Sequence, residues 1–243
     1  MAERAPINPQ GRKVPRGAVD FAPPAGLGLT SDRTRGRMID RLREYGIHDE
    51  AVLSAIGGVE RHSFVDQALA SRAYEDVALP IGHEQTISRP TVVATMLAAV
   101  IAPMKSDVRK RAKVLEIGTG CGWQAAVMAR LFGEVYSVER IRGLHENARK
   151  NLAPLRLANV RLAFGDGREG LPQVAPFDAI VIAAAGMELP EALMHQMAIG
   201  ARLIAPVGGE EQALHLVERT SEDDWRVTVL EGARFVPLRE GTA

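Results

Sequence analysis

A glycine-rich segment, LEIGTGCGW, carries residues that could hold a nucleotide. Gly118, Gly120 and Gly122 permit a tight turn and leave no Cβ in the way of a ligand, and Thr119 lies between the first two. Backbone amides at the start of a following helix would favour polar or anionic groups. Glu116, just before the glycines, adds a carboxylate, which suits a ligand with a positive amino group better than a pyrophosphate.

Two later acidic residues strengthen this prediction. Glu139 follows about 20 residues after the glycines, where a carboxylate can accept hydrogen bonds from both hydroxyls of a ribose. Asp166, followed by Gly167 in the sequence GDG, has the corresponding place after the next predicted strand. A glycine loop alone is weak evidence and often only a structural turn. The pattern E-x-G-x-G-x-G with both later carboxylates is typical of S-adenosylmethionine binding.

The spacing of the glycines argues against a dinucleotide. When the pattern G-x-G-x-x-G/A is counted from Gly118, its final small residue falls at Trp123. A bulky side chain there disfavours the close helix packing that this pattern requires. A dehydrogenase is therefore an alternative that Trp123 opposes.

Alternating strands and helices are predicted to position these residues. This alternation predicts an α/β fold, a parallel sheet with helices on both faces. Together with the glycine loop and its acidic residues, it predicts a Rossmann-like S-adenosylmethionine-dependent methyltransferase sheet. The predicted strands are VLEIG, VYSVE, VRLAF, DAIVIAA and RLIAPV, and the predicted helices are WQAAVMARLF, residues 141–152 and residues 190–200. The segments ALHLVER, WRVTVL and RFVPL are expected to add antiparallel strands at one edge.

A helical part is expected before the sheet. Met38, Ile39, Leu42 and Tyr45 fall on one helical face, and Gly46 is suited to end that helix. The other helices predicted in this part are near residues 49–56, 61–70 and 90–101.

The division of the chain follows from these patterns. Residues 1–30 contain five prolines and four glycines without an apolar period, so we expect a disordered tail there. We expect residues 31–243 to form one methyltransferase domain. Its expected parts are an N-terminal helical part (31–110), a cofactor-binding α/β core (111–210) and C-terminal edge strands (211–243).

The composition argues against several classes of partner. The chain has 30 basic and 30 acidic residues, so general attraction to nucleic acid or to an anionic membrane is not expected. Its single cysteine, Cys121, cannot form an internal disulfide and indicates a reducing compartment, which we take to be the cytoplasm. The apolar run VVATMLAAVIAPM is too short to span a bilayer. The six histidines show no ligand spacing, so no metal is predicted. We also expect the protein to be a monomer.

A second segment, LPIGHEQTISRP, is more specific than the glycine loop. With AYEDVALP before it and VLEIGTGCGW, VYSVER, GDGREG, LIAPVG and RFVPL after it, the chain resembles protein-L-isoaspartate O-methyltransferases over residues 36–240. This resemblance implies that Ser88 is the active-site hydroxyl and that the residues lining the cofactor and substrate pocket are Gln85, Thr86, Ile87 and Ser88. It also implies that the cofactor is held by Glu116, Gly118, Gly120, Glu139, Asp166 and Gly167. One departure is Glu84, because this family often has glycine before QTIS.

The implied reaction needs alignment more than proton transfer. A carboxylate with a pKa of about 3.5 is almost fully ionised at neutral pH, so a sulfonium methyl donor needs no general base. Of the histidines, only His83 lies near Ser88 in the sequence, and we interpret it as a loop residue. The Ser88 hydroxyl and the unpaired amides of the following helix are predicted to hold the acceptor carboxylate. The alternative for Ser88 is that it only caps this helix.

Other functions are compatible with parts of the sequence. An amino-methylating nucleic-acid enzyme would show an Asn/Asp-Pro-Pro-aromatic segment after the fourth strand, where this chain has AAAGMELP. A methyltransferase for a small carboxylic acid fits the glycine loop equally well. A non-catalytic S-adenosylmethionine-binding adaptor would also keep the loop, although the presence of Ser88, Glu139 and Asp166 favours an enzyme that methylates isoaspartyl proteins and peptides.

Overall fold

The computed structural model describes residues 32–243, so the predicted tail, residues 1–30, lies outside the described residues. The description starts with helix α1 (Asp32–Tyr45), which buries Met38 and Leu42 as predicted. Gly46 follows with φ +109°, a conformation that favours glycine and ends the helix. Tyr45 is half exposed, and its hydroxyl donates to Glu231 at 2.7 Å.

The second helix, α2 (Glu50–Gly57), has its N-terminus capped by Asp49, which accepts hydrogen bonds from the amides of Ala51 and Val52. The single helix predicted over residues 61–70 is wrong. The chain instead forms two short 3₁₀ segments, Arg61–Phe64 and Gln67–Arg72. Between them Val65 is extended, and the side chain of Asp66 caps the second segment by accepting from the amide of Ala68.

The polar segment before Pro90 forms a small antiparallel hairpin of β1 (Leu79–Gly82) and β2 (Gln85–Ile87). Its turn consists of His83 and Glu84, which have φ of +52° and +58°. Positive φ at both central residues suits a two-residue hairpin loop, but side chains other than glycine, asparagine and aspartate are disfavoured there. The departure at Glu84 therefore lies at a strained position.

We predict that Glu84→Gly stabilises the protein. A left-handed conformation costs an ordinary residue about 1–2 kcal/mol, whereas the extra freedom of glycine in the unfolded chain costs about 0.5–1 kcal/mol. The free energy of unfolding, measured by urea denaturation, should therefore rise by several tenths to about 1 kcal/mol. Glu188→Gly is the matched control because Glu188 is exposed and has no left-handed φ. This control should destabilise the protein. A loss of stability with Glu84→Gly would contradict the inference that Glu84 is strained.

The central sheet has seven strands in the order β5-β4-β3-β6-β7-β8-β9. The first five in this order are parallel, and the last two are antiparallel additions at one edge. The strands are β3 (Lys113–Ile117), β4 (Glu134–Glu139), β5 (Val160–Phe164), β6 (Phe177–Ile182), β7 (Met197–Gly208), β8 (Gln212–Arg219) and β9 (Trp225–Ala233). The remaining helices are α3 (Pro90–Ile101), α4 (Ser106–Arg109), α5 (Trp123–Ala129), α6 (Arg142–Leu152) and α7 (Glu191–His195). The predicted Rossmann-like α/β sheet is confirmed.

The core fills both faces of the sheet. Helix α3 lies against β6, β7 and β8 on one face, and nine of its residues are buried, so the apolar run of the sequence is a core helix. No helix within residues 32–243 is both long enough and apolar enough to cross a membrane.

Two further predicted elements differ in the structure. The helix expected at residues 190–200 stops at His195, and β7 already begins at Met197. Gln196 separates them, because its side chain accepts from the amide of Leu171 and its carbonyl accepts from the amide of Phe177. The segment RFVPL is not an edge strand. It leaves β9 and crosses to the carboxyl end of β6, where Ala185 pairs with Val236 and Leu238.

Candidate active site

Two cavities lie at the carboxyl ends of the parallel strands, where open α/β sheets bind ligands. The loop cavity, about 510 Å³, is bounded by the glycine loop after β3, the end of β4 and the β1–β2 hairpin. The Ser88 cavity, about 680 Å³, is bounded by the start of α3 and the end of β9. Three residues line both cavities: Thr86, Ala183 and Val236. The two cavities are therefore neighbours with a common wall.

The glycine loop forms the floor of the loop cavity. Gly118 and Gly120 line it and have φ of +91° and +55°. A Cβ at Gly120 would lie 3.1 Å from the Ile81 side chain of the hairpin, so glycine there lets hairpin and loop approach closely. Gly167 also lines the cavity, and a Cβ there would lie 2.5 Å from Ile117.

Glu139 joins this loop to the end of β4. One carboxylate oxygen accepts from the amide of Gly120 at 2.8 Å, and the other accepts from the amide of Ile141 at 2.9 Å. The residue is only 4% exposed, yet it lines the loop cavity. Each carboxylate oxygen has a second lone pair, so Glu139 can also accept from the hydroxyls of a bound ribose.

Four predicted site residues lie behind the cavity walls. Ile87 is buried in the core, and Thr119 is buried beneath the loop with its hydroxyl 2.6 Å from that of Ser137. Gly122 adopts φ +90° directly before α5, and a Cβ there would lie 3.1 Å from Leu152 of α6. The absence of a side chain at Gly122 therefore allows α6 to pack closely against the start of α5. The fourth is Glu116.

Glu116 is fully buried at the end of β3 and does not line the loop cavity. Its carboxyl accepts a hydrogen bond from the hydroxyl of Ser137, and its other oxygen has no partner among the described residues. Burial raises the pKa of Glu116 to about 8, against the opposing effect of the hydrogen bond from Ser137. The structure therefore does not bring this carboxyl to the place where it was predicted to hold an amino group.

We predict that Glu116→Gln reduces the pH dependence of stability. The folded pKa of about 8 lies above the ordinary 4.5, so the folded state binds more protons between these values. The free energy of unfolding of the natural protein should therefore fall, relative to that of Glu116→Gln, as pH rises from 5 towards about 8. Urea denaturation at several pH values measures this difference. For the control Glu134→Gln, at the exposed start of β4, the plot of unfolding free energy against pH should run parallel to that of the natural protein. Parallel curves for Glu116→Gln as well would contradict the raised pKa.

Asp166 is held by the C-terminal end of the chain. We call residues 235–243 the C-terminal strap. One oxygen of Asp166 accepts from the amide of Gly241 at 2.6 Å, and the other accepts from the amide of Arg168 at 2.8 Å. Asp166 does not line the loop cavity, although the next residue, Gly167, does. In this structure Asp166 therefore contacts the strap, and its contact with the cofactor stays a prediction.

The C-terminal strap forms a wall that sequence reasoning missed. Pro237, Leu238, Arg239 and Ala243 all line the loop cavity. Arg140, directly after Glu139, fixes the strap with its side chain, which donates to the carbonyl of residue 241 at 2.9 Å, and with its backbone, which accepts from the amide of Ala243 at 2.8 Å. In the sequence, the only indication of this wall was that RFVPL is one of the segments that resemble the family.

Ser88 lies between β2 and α3, is half-buried and lines the Ser88 cavity. Its hydroxyl has no hydrogen-bond partner within residues 32–243. The alternative that Ser88 caps α3 is wrong, because the cap position is Arg89, which makes no side-chain cap. Asp76 satisfies the helix start by accepting from the amide and hydroxyl of Thr91 at 2.9 and 2.8 Å. The Thr91 amide is therefore not free for an acceptor, but the Ser88 hydroxyl is.

Charged side chains surround the Ser88 cavity. Arg89 and Arg234 line it and are exposed, and Glu210 and Glu211 line it from the turn between β7 and β8. A cavity with both signs of charge and an uncommitted hydroxyl suits a polar acceptor. These four residues were not identified from the sequence because they come from three separate segments.

His83 and Cys121 lie in structural settings. His83 lies in the hairpin turn with its ring against α6, where a Cβ on Gly143 would be 2.4 Å from Nε2. Burial raises the pKa of Cys121 to about 11, which keeps the thiol protonated. Within residues 32–243, no three His, Cys, Asp or Glu side chains are grouped so that they could hold a metal ion.

The two tryptophans occupy different parts of the sheet. Trp123 begins α5 directly after the glycine loop and is buried, with the Arg61 guanidinium 4.5 Å from its ring. Burial lowers the pKa of Arg61 to about 10, so this side chain remains charged at neutral pH. Trp225 begins β9 at the far edge of the sheet, with the Arg219 guanidinium 5.4 Å from its ring.

Comparisons with known proteins agree with this geometry. The sequence model of the family described as Protein-L-isoaspartate(D-aspartate) O-methyltransferase (PCMT) matches residues 33–243. A protein named Protein-L-isoaspartate O-methyltransferase from Bordetella avium (strain 197N) is 59% identical over 218 residues, which cover 89% of this chain and 81% of the relative. A protein of the same name from Burkholderia mallei (strain SAVP1) is 53% identical over 242 residues, covering 99% of this chain and 74% of the relative.

Alignment with solved structures supports the fold assignment. A structure named protein-L-isoaspartate O-methyltransferase aligns with a TM-score of 0.74 and 30% identity over 84% of this chain and 65% of that chain. A Plasmodium falciparum structure described as a PCMT in complex with S-adenosyl-L-homocysteine aligns with a TM-score of 0.72 and 22% identity over 84% of this chain and 98% of that chain. The family match over nearly all described residues, together with the two close relatives, shows that the chain belongs to the protein-L-isoaspartate O-methyltransferase family.

Proposed function

We propose that this protein transfers a methyl group from S-adenosylmethionine to the free carboxylate of L-isoaspartyl residues in damaged proteins and peptides. The observation that carries the proposal is the common wall of the two cavities, formed by Thr86, Ala183 and Val236. The loop cavity is the donor site and the Ser88 cavity is the acceptor site, so the reacting groups would meet at this wall.

The loop cavity fits a nucleoside-containing donor. Its volume of about 510 Å³ lies within the usual range for small-molecule sites. The backbone of Gly118 and Gly120 leaves room for close approach, and Glu139 offers its remaining lone pairs to ribose hydroxyls. When bound, S-adenosylmethionine supplies a methyl group on a positively charged sulfur, and its transfer to a carboxylate oxygen leaves a neutral thioether and a methyl ester.

The residues of the acceptor site need only bind and aim the carboxylate. An α-carboxylate is ionised at neutral pH, so no side chain has to remove a proton. The Ser88 hydroxyl can donate to one carboxylate oxygen and leave the other directed at the common wall. Arg89 and Arg234 supply positive charge at the same cavity. Alignment of two bound groups supplies several kcal/mol of the barrier reduction.

The product explains the proposed role in repair. An isoaspartyl linkage leaves an α-carboxylate free, and methylation converts it into an ester with a better leaving group. The neighbouring backbone amide can then displace methanol and close a succinimide. Hydrolysis of the succinimide returns part of the material to normal aspartyl linkages.

The test is methyl transfer from radiolabelled S-adenosylmethionine to two peptides that differ only in one linkage, isoaspartyl or aspartyl. We expect a base-labile methyl ester on the isoaspartyl peptide alone. Equal labelling of both peptides, or labelling only of small carboxylic acids, would contradict the proposal. Binding of the donor without transfer to either peptide would favour the adaptor alternative.

Further parts of the proposal concern the setting of the reaction. We propose that residues 31–243 work as one domain in a monomer, in the cytoplasm, without nucleic acid or membrane as partners. The equal numbers of basic and acidic residues and the single cysteine support these assignments.

A further inference from the structure

We propose that Gln212 is a positioning residue that fixes the wall between the donor and acceptor cavities. This inference rests on the proposed function, because it assigns Gln212 a part in aligning the two substrates. Gln212 is the first residue of β8, is half-buried and itself lines the Ser88 cavity.

The side chain of Gln212 binds both backbone groups of one residue of the C-terminal strap. Its amide oxygen accepts from the N–H of Phe235 at 2.7 Å, and its amide nitrogen donates to the carbonyl of Phe235 at 3.1 Å. The same nitrogen donates to the carbonyl of residue 209 at 3.3 Å. A carboxamide is one of the few side chains that can donate and accept in this way.

This contact replaces a missing pair of the sheet. Across the antiparallel ladder, Gln212 pairs with Ala233, the last residue of β9. In an antiparallel register the next partner of Phe235 would be residue 210, but residues 209–211 belong to the turn between β7 and β8. The Gln212 side chain therefore supplies the donor and acceptor that the turn cannot present.

The position of Phe235 determines the position of the common wall. Val236, the next residue, lines both cavities, and its carbonyl accepts from the amide of Ala185 at 2.8 Å. The backbone is thus fixed on one side of Val236 by Gln212 and on the other side by Ala185, which also accepts from the amide of Leu238 at 2.7 Å. A displacement of about 1 Å between reacting groups can reduce the rate about 100-fold. Loss of the Gln212 contact should therefore affect transfer more than donor binding.

The test compares Gln212→Glu with Gln67→Glu, the same chemical change at an exposed site of a 3₁₀ segment. At pH 8 the carboxylate that Gln212→Glu introduces is ionised, so it accepts from the Phe235 amide but repels its carbonyl. We expect kcat for the isoaspartyl peptide to fall about 10–100-fold, with the Kd for S-adenosylmethionine changed less than about threefold. At pH 5.5, a protonated carboxyl can donate again, so the ratio of variant to natural kcat should rise. Gln67→Glu should change neither value.

The outcomes separate this inference from the proposed function. Failure of the natural protein to methylate the isoaspartyl peptide would overturn the proposed function itself. If the natural protein is active, unchanged kcat in Gln212→Glu overturns the positioning role. A parallel loss of kcat, donor affinity and thermal stability, without recovery at pH 5.5, also overturns it, because that pattern indicates a structural role alone. Gln212→Ala, which introduces no charge into the Ser88 cavity, should show a loss of kcat at saturating donor without any recovery at low pH. Natural kcat in Gln212→Ala would assign the effect of Gln212→Glu to repulsion of the acceptor carboxylate and would overturn the positioning role.

Discussion

Ser88→Ala is expected to lower kcat for an isoaspartyl peptide about 100-fold, the scale seen when one aligned donor is removed from an active site. The Ser88 hydroxyl has no partner within residues 32–243 and lines the Ser88 cavity, so it is available to a bound carboxylate. Because Ser88 does not line the loop cavity, the affinity for S-adenosylmethionine should change less than twofold. Initial rates at saturating donor and calorimetric titration of the donor measure the two quantities.

Two further variants make this result specific. Ser88→Thr keeps a hydroxyl and should retain more activity than Ser88→Ala. Ser54→Ala, at an exposed position of α2, should leave both quantities unchanged. Natural turnover in Ser88→Ala would show that the hydroxyl has no part in aligning the acceptor.

The second large effect is expected at Glu139. Glu139→Ala should weaken binding of S-adenosylmethionine by about 1–3 kcal/mol, the range for hydrogen bonds to a charged acceptor. The substitution removes the acceptor for the ribose and also the acceptor that holds the amide of Gly120 in the glycine loop. Both losses act on the donor site. Calorimetry with the donor, or with its thioether product, measures the change directly.

The control for Glu139 lies on the same strand. Glu134→Ala removes a carboxylate at the opposite end of β4, where it pairs with Arg161 at the surface. Donor affinity should be unaffected there. The ribose assignment fails if Glu139→Ala binds the donor as tightly as the natural protein.

Local sequence patterns were sufficient for most of the sheet and for the glycine loop. Short apolar strands such as VLEIG and a helix beginning at Pro90 have strong local preferences, and the structure places them as predicted. The relation between Gly120 and Glu139 was also predictable, because the ends of adjacent parallel strands meet at one edge.

One local cap and several long-range contacts explain where the structure differs from the predictions. The apolar spacing of residues 61–70 resembles one helix, but the Asp66 side chain starts a new segment. RFVPL resembles a strand, yet its path depends on the side chain of Gln212, more than twenty residues earlier. Spacing also could not show that Glu116 lies under the loop, or that the strap takes both the Asp166 contact and one side of the loop cavity. The path of RFVPL, the burial of Glu116 and the strap contact of Asp166 each depend on groups that are distant in the sequence.

The separate locations of the two tryptophans give the chain an optical property. Indole emission depends on the polarity and charge around the ring. Trp123 lies directly behind the glycine loop, whereas Trp225 lies at the far edge of the sheet. With Trp225 replaced by phenylalanine, all indole fluorescence would come from Trp123, which directly follows the glycine loop. Occupancy of that site could then be followed in real time without attaching a dye.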